Sequence, residues 1–418
     1  MKSLESVFVA TITHLTDQEG NREPHSTPAG PLMEYLRERV PRVTVLELPL
    51  LRRQMPYPPQ LTRYVDGRLV ERKQLPLSIA RWFQNMGQVD LSATSMRLKL
   101  RDLLVTPAYF LAERESFDLF IGVESLLALI GGVFKKAGRV RELAYYISDW
   151  SPYKFDSPLA NRIYVEMDRK ACLWSDYIWN YTYTIGEARR EILGFDMASA
   201  GRELWVPFGF DDRGIVHRPT EEIDRNRLIY CGGLGDDYGV DLILEALAIA
   251  LKSRPLLTLD ILGNGEKEAE LKQRCRELGL DQAVRWHGYV SDRGQILEAY
   301  LKAALSLAPF KPSKASVKQW GDVIKIRESI GCAVPVVTTR VPPSHKEVQE
   351  KGLGRVIPYE AQALAQAITE LTENPESYAL LRGRLLKASK ENLWGKIFDR
   401  TFEAMDYRLT PIFSTVAK

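Results

Sequence analysis

Three short segments concentrate residues suited to holding a phosphorylated ligand. The first, Ile229-Tyr230-Cys231-Gly232-Gly233-Leu234-Gly235, runs from a β-rich stretch straight into glycines. Glycines there permit positive φ and close approach of backbone to a ligand, and free N–H groups at the start of the next helix suit a phosphate. After Gly233 and Gly235 the third glycine, Gly239, falls one place late for the dinucleotide pattern G-x-G-x-x-G, so the same residues also describe a tight turn without a ligand. The second segment, Leu259-Asp260-Ile261-Leu262-Gly263-Asn264-Gly265-Glu266, repeats the strand-to-glycine turn about 30 residues on. The third runs from Trp320 to Thr339, where Asp322, Lys325 and Glu328 recur every three residues. That spacing puts them on roughly one helix face. Asp322 near the expected N-terminus suits the helix dipole. Pro335 and an apolar strand follow at once, which argues that this helix packs on a sheet.

The first half offers weaker candidates. Asp149 stands just past an expected strand and before Ser151-Pro152, placed to orient or deprotonate a hydroxyl. Glu124 is similarly placed after the preceding strand. Turn or cap roles fit both equally well. His14 and His25 flank a polar loop and read as solvated; the aromatic residues between Asn161 and Trp174 read as core. Lys135, Lys136, Arg139 and Arg141 form a basic stretch that reads as a solvated helix end or as a contact for anionic lipid. Cys172, Cys231, Cys275 and Cys332 are far apart and form no C-x-x-C, so a structural metal or disulfide framework is not expected and a reducing cytoplasm fits best.

The elements that position these residues alternate strand and helix in two blocks. In the first, strands are expected over 6–13, 43–48, 117–123, 142–147, 176–181 and 204–207. Helices are expected over 32–39, 91–114 with a kink at Pro107, 126–136, 161–174 and 184–193. Asp66-Gly67 marks a hairpin inside a proline-interrupted insertion. A polar linker from Pro207 to Arg227 follows. The second block has strands over 227–231, 256–262, 284–287, 305–310 and 334–338. Its helices cover 240–251, 266–277, 295–303, 322–330 and 364–372, with the last ones between Glu376 and Tyr407. Alternating strands and helices imply βαβ units and parallel sheets, and two such blocks imply two doubly wound domains facing a cleft. Ligands in such sheets bind at the carboxyl ends of the strands.

Composition narrows the class. The chain has 418 residues, 45% hydrophobic and 27% charged, with 57 Lys+Arg against 54 Asp+Glu and a net charge of +3. That balance excludes a collagen-like or wholly disordered chain and gives no basic nucleic-acid module. The longest apolar run, Leu126 to Phe134, is far shorter than the roughly 20 residues of a membrane span. Glu5 precedes the first apolar stretch, which reads as a strand rather than a signal peptide.

The three segments, in this order and spacing, resemble the C-terminal domain of family-4 glycosyltransferases with the GT-B fold. Glu328-Ser329-Ile330-Gly331-Cys332-Ala333-Val334-Pro335-Val336-Val337 is similar to that family's Glu-Ala-x-Ala-x-Gly-x-Pro-Val-Val segment. Trp205-Val206-Pro207-Phe208-Gly209-Phe210-Asp211 is similar to its domain-crossing Val-Pro-Asn-Gly-Val-Asp. The likeness is good over 204–400. In the first half, Tyr145 to Pro152, Asn161 to Tyr164, Met167 to Arg169 and Ser175 to Asn180 are similar to a bacterial and archaeal subgroup.

The resemblance implies an α/β protein with the GT-B fold, two Rossmann-like domains facing a cleft. An acceptor-side domain would span 1–207 and a nucleotide-sugar-binding domain 208–395. A crossover helix over 396–418, around Trp394, Phe398 and Phe402, would pack back on the first domain. It implies a retaining, metal-independent hexosyl transfer from a nucleotide-sugar, UDP- or GDP-linked, to a saccharide or lipid-linked acceptor of the cell envelope. No cofactor beyond the donor and no nucleic acid is expected. The place would be the cytoplasm, at the inner face of the membrane if anionic lipid is touched.

Glu328 matches the glutamate that binds the ribose hydroxyls. Gly232, Gly233, Gly263, Asn264, Gly265, Asp322 and Lys325 join it around the donor; Glu124, Asp149 and Ser151 stand on the acceptor side; and Asp149, Lys325 and Glu328 carry catalysis. Three positions depart from the family pattern. The two cations that face the diphosphate fall on Gly233 and Tyr238, and the first glutamate of Glu-x7-Glu falls on Trp320. Lys325, Lys318 and Arg327 are the candidate replacements, Lys325 foremost because it lies one turn before Glu328. The departures also define an alternative: a non-catalytic relative that binds a nucleotide-sugar or glycan, or scaffolds another transferase. An epimerase or phosphorylase of the same fold is a third reading.

Overall fold

The computed structural model describes residues 2–12, 28–48, 58–75, 91–147, 149–313 and 316–412. His14, His25 and Lys314 lie outside them. The chain divides into two compact units, Met1–Pro207 with Ile397–Lys418, and Phe208–Lys396.

In the first unit the described strands are β1 (Ser6–Thr11), β2 (Arg42–Glu47), β3 (Gln60–Val65), β4 (Arg68–Gln74), β5 (Phe117–Val123), β6 (Val140–Tyr146), β7 (Tyr177–Asn180) and β8 (Arg202–Trp205). They form one sheet in the order β4-β3-β2-β1-β5-β6-β7-β8. The hairpin β3–β4 lies at the edge, turned at Asp66-Gly67; the pairings β2–β3 and β3–β4 are antiparallel and the others are parallel. The order reverses beside β1, so the switch point lies between β1 and β5. Helices α1 (Ala29–Arg37), α2 (Leu91–Ala112), α3 (Ser125–Lys136), α4 (Pro158–Trp174) and α5 (Tyr183–Glu191) accompany the strands. α4 starts where the sequence favours it: Ser157 caps the N–H of Ala160, and Pro158 takes the first turn, where its missing N–H costs nothing. Strand β5 is buried along nearly its whole length, as a central parallel strand covered on both faces must be. Around it Phe8 stacks on Phe120 at 5.2 Å and meets Phe110 and Phe117 edge-on.

In the second unit β9 (Arg227–Cys231), β10 (Thr258–Leu262), β11 (Val284–Gly288), β12 (Leu305–Ala308), β13 (Val336–Thr339) and β14 (Gly354–Ile357) form an all-parallel sheet in the order β11-β10-β9-β12-β13-β14. The helices are α6 (Val240–Ala250), α7 (Glu268–Glu277), α8 (Arg293–Lys302), α9 (Ile324–Gly331), α10 (His345–Glu350), α11 (Ala361–Glu373) and α12 (Pro375–Glu391). α6, apolar on most of its circumference, is sunk between the sheet and α11 through Leu242, Ile243, Leu244 and Leu247. The switch point falls between β9 and β12.

The boundary between the units lies inside α13 (Trp394–Ala404). Within the first unit, Phe398 and Phe402 pack on Tyr35 at 5.4 and 5.7 Å, and the Tyr35 hydroxyl donates to Asp399 at 2.8 Å.

Two expectations change. The helix expected over 322–330 begins at Ile324, so Asp322 precedes it. The segment between 339 and 363, left without elements, holds α10 and β14. Both are shorter than two turns or five residues, too short for periodicity to show. Among the described residues no helix is long and apolar enough to cross a membrane.

Candidate functional site

The carboxyl end of the second sheet is built from two glycine turns that dock on each other. Gly232 follows β9 at φ 152° and Gly263 follows β10 at φ 145°, conformations that side chains rarely adopt. A Cβ on Gly263 would stand 1.8 Å from the Gly232 carbonyl oxygen, so no other residue fits there. The Gly232 N–H donates to the Leu262 carbonyl at 2.9 Å, and the Leu234 N–H to the Asn264 carbonyl at 3.0 Å. Asn264 thus serves through its backbone. A Cβ on Gly265 would meet the Leu234 carbonyl oxygen at 2.3 Å.

Lys325, in the first turn of α9, lies directly beneath this junction. A Cβ on Gly232 would come within 2.5 Å of its Nζ. Its residue surface is 8% exposed, and among the described residues the ammonium has no hydrogen-bond partner. Three rings surround it instead: Tyr230, Phe310 and Tyr238, with centroids at 4.1, 4.9 and 5.1 Å. Ring faces attract a cation but do not replace water or a carboxylate. Burial drives the Lys325 pKa down to about 7, with Lys318 pushing the same way and Cys231 opposing. Glu328, one turn on, is half-buried; burial raises its carboxyl to about 7 despite the nearby Arg293. Two adjacent turns therefore carry a lysine and a glutamate whose charged forms both lack solvation, the usual mark of a site awaiting a ligand. Arg293 itself donates to the Asp211 carbonyl at 3.2 Å.

Asp322 does not belong to this set. Its side chain is fully buried; its Oδ2 accepts from the Phe208 N–H at 2.8 Å and from Arg327 Nε at 2.9 Å. Arg327 also pairs with Glu347 on α10. Arg327 and Lys351 outweigh burial and hold Glu347 down at about 2. Asp322 thus anchors the segment after Pro207, and Arg327, being spoken for, is no substitute diphosphate cation. Gly233 lies against the Tyr238 ring, where a Cβ would be 3.0 Å from Cζ. The aromatic cage of Tyr230, Tyr238 and Phe310 had no signal in the sequence beyond Tyr230 preceding the glycines.

In the first unit the acceptor-side candidates come together at the ends of β5 and β6. Glu124 holds φ 79°, strained for a side-chain-bearing residue, and its Oε1 accepts the Asp149 N–H at 3.1 Å. Asp149 is exposed and pairs with Lys154. Ser151 is buried, and its Oγ accepts the Tyr153 N–H at 3.1 Å, a turn role. Beneath them lies a network that sequence reasoning missed. Asp168 accepts from Tyr145 Oη at 2.7 Å, Trp150 Nε1 at 3.0 Å and Arg189 at 2.6 and 2.8 Å. Arg189 donates on to Asn180 at 3.0 Å. The four cations of the basic stretch are engaged locally. Lys135 pairs with Asp176, Lys136 stacks over Trp174, Arg139 donates to the Glu113 and Glu115 carbonyls, and Arg141 pairs with Asp118.

Residues 215–385 match the family model described as glycosyl transferases group 1. A GDP-mannose-dependent monoacylated alpha-(1-6)-phosphatidylinositol monomannoside mannosyltransferase from Corynebacterium glutamicum is 24% identical over 318 residues, 74% of this chain and 79% of that protein. Among solved structures, sucrose-phosphate synthase from Thermosynechococcus elongatus superimposes with a TM-score of 0.66 at 15% identity, covering 96% of this chain and 98% of the other. Anabaena Alr3699/HepE in complex with UDP gives 0.60 at 16% identity, covering 96% and 100%. The chain has the GT-B fold, and the part of it that matches the glycosyl transferases group 1 model lies in its second unit.

Proposed function

We propose that the protein is a retaining, metal-independent glycosyltransferase that moves a hexosyl group from a nucleotide-sugar to a saccharide or lipid-linked acceptor of the cell envelope. The observation that carries this reading is Lys325: a buried ammonium, without a hydrogen-bond partner among the described residues, beneath two interlocked glycine turns at a sheet's carboxyl end. Such a group lacks one thing, an anion, and the turns let a diphosphate approach it closely.

As the glycosidic bond to the donor breaks, negative charge grows on the departing diphosphate. A preorganised cation stabilises it without reorganisation. With its pKa near 7, Lys325 also has a proton to share with that oxygen, which suits acid assistance near neutrality. Glu328 offers two carboxylate oxygens to the ribose hydroxyls. Asp149, held by the Glu124 carboxylate, orients the acceptor hydroxyl. No metal is assigned a role. A UDP- or GDP-sugar is the donor class, on the evidence that one relative is named for GDP-mannose and one structural neighbour holds UDP.

The departures at Gly233, Tyr238 and Trp320 keep a binding-only relative as the second reading. Incubation with UDP- and GDP-sugars separates the two: a transferase releases nucleoside diphosphate, and Glu328→Ala abolishes the release. Nucleotide that binds but is never released from its sugar, with every acceptor fraction tried, establishes the binding-only reading.

A further inference from the structure

Resting on the donor-site reading above, one further residue enters. Lys318 lies in the 3-10 turn Val317–Gln319, half-buried, with its Nζ 5.0 Å from the Tyr238 ring centroid. Lys325 Nζ stands 5.1 Å from the same centroid. One aromatic ring is thus shared by two ammonium groups that arrive from different segments. Among the described residues neither has a carboxylate partner, and Lys318 is felt at Lys325 as like-charge repulsion. Two cations kept together without an anion are unfavourable unless something binds between them.

We propose that Lys318 and Lys325 form a two-cation clamp across Tyr238 for the two phosphoryl groups of a nucleoside diphosphate, Lys318 setting the preference for diphosphate over monophosphate. Lys325 is fixed: it is buried and seated under Gly232. Lys318 is half-buried on its turn, where its N–H is bonded to Ser316 Oγ at 3.3 Å. The fixed cation serves the phosphoryl group nearest the turns, and the adjustable one reaches the second. The Tyr238 ring is within cation–π reach of both ammonium groups.

Calorimetric titration of the full chain with UDP, GDP, UMP and GMP tests this. The wild type is expected to bind one diphosphate more tightly than its monophosphate. Lys318→Ala should weaken that diphosphate about tenfold and leave the monophosphate within threefold, the loss expected of one charged contact. Lys318→Arg should restore most of it. Lys311→Ala, removing an exposed lysine of the same loop, is the control and should change neither. Equal losses for diphosphate and monophosphate in Lys318→Ala, no loss at all, or an equal loss in Lys311→Ala overturn the clamp while the donor site stands. A wild type that binds none of the four nucleotides overturns the donor site and the clamp together.

Discussion

Two cations two residues apart on α9 live in opposite worlds. Arg327 is buried and saturated: Asp322, Glu347 and Asn392 all receive its N–H groups. Lys325 is buried, and among the described residues its ammonium has no acceptor. A buried charge without a partner is costly, whereas a paired one roughly breaks even. Arg327 therefore belongs to the architecture, whereas Lys325 is the group we propose for a ligand. The Arg189–Asp168 pair of the first unit sides with Arg327, with side chains at 0% exposure and Arg189 bonded to both Asp168 oxygens.

The largest expected effect breaks the saturated side. Arg327→Met strands Asp322 and Glu347 and should cost about 3–5 kcal/mol of unfolding free energy, read by denaturant titration. Lys325→Met should cost no stability and instead change its pH dependence. The folded protein holds Lys325 at about 7 against 10.5 unfolded, so between those values the unfolded chain carries the extra proton. Stability of the wild type therefore falls as pH drops from 10.5 toward 7, by an order of a few kcal/mol at most. Lys325→Met should flatten that segment. An identical profile in both proteins would show that Lys325 is not desolvated.

Gly263→Ala comes next. Its Cβ collides with the Gly232 carbonyl oxygen, so a loss of about 1–3 kcal/mol and of nucleotide binding is expected, by thermal unfolding and calorimetry. The smallest effect belongs to Glu328→Gln. It removes a half-buried carboxylate whose pKa is raised to about 7, so stability should change little or rise slightly above neutrality. Nucleotide affinity should fall about tenfold with the ribose contact.

The contrast within α9 was only half legible in the sequence. The two glycine turns were readable because a strand running into glycines demands close approach, and the structure shows that approach at Gly232 and Gly263. Asp322, Lys325 and Glu328 were read as one face from their spacing of three. The helix starts only at Ile324, so that argument never applied to Asp322. Its partner is Arg327, which also binds Glu347, on a six-residue helix that carries too little periodicity to be seen. The Asp168–Arg189 pair, 21 residues apart in sequence, was hidden for a like reason. Long-range pairing of buried charges leaves no local pattern. The strand rhythm did survive, because near-continuous apolar runs such as Phe117–Val123 are what a covered parallel strand requires.

The central claim is that Lys325 waits for a diphosphate. The direct test is calorimetric titration of wild type and Lys325→Met with UDP and GDP at about pH 8.5, in two buffers of different ionisation enthalpy. At that pH the empty lysine is largely neutral, so an arriving diphosphate should draw in close to one proton per nucleotide. The account predicts tight binding with that uptake in the wild type, and weak binding without uptake in Lys325→Met. Equal affinity in both proteins, or binding with no proton taken up by the wild type, would contradict it.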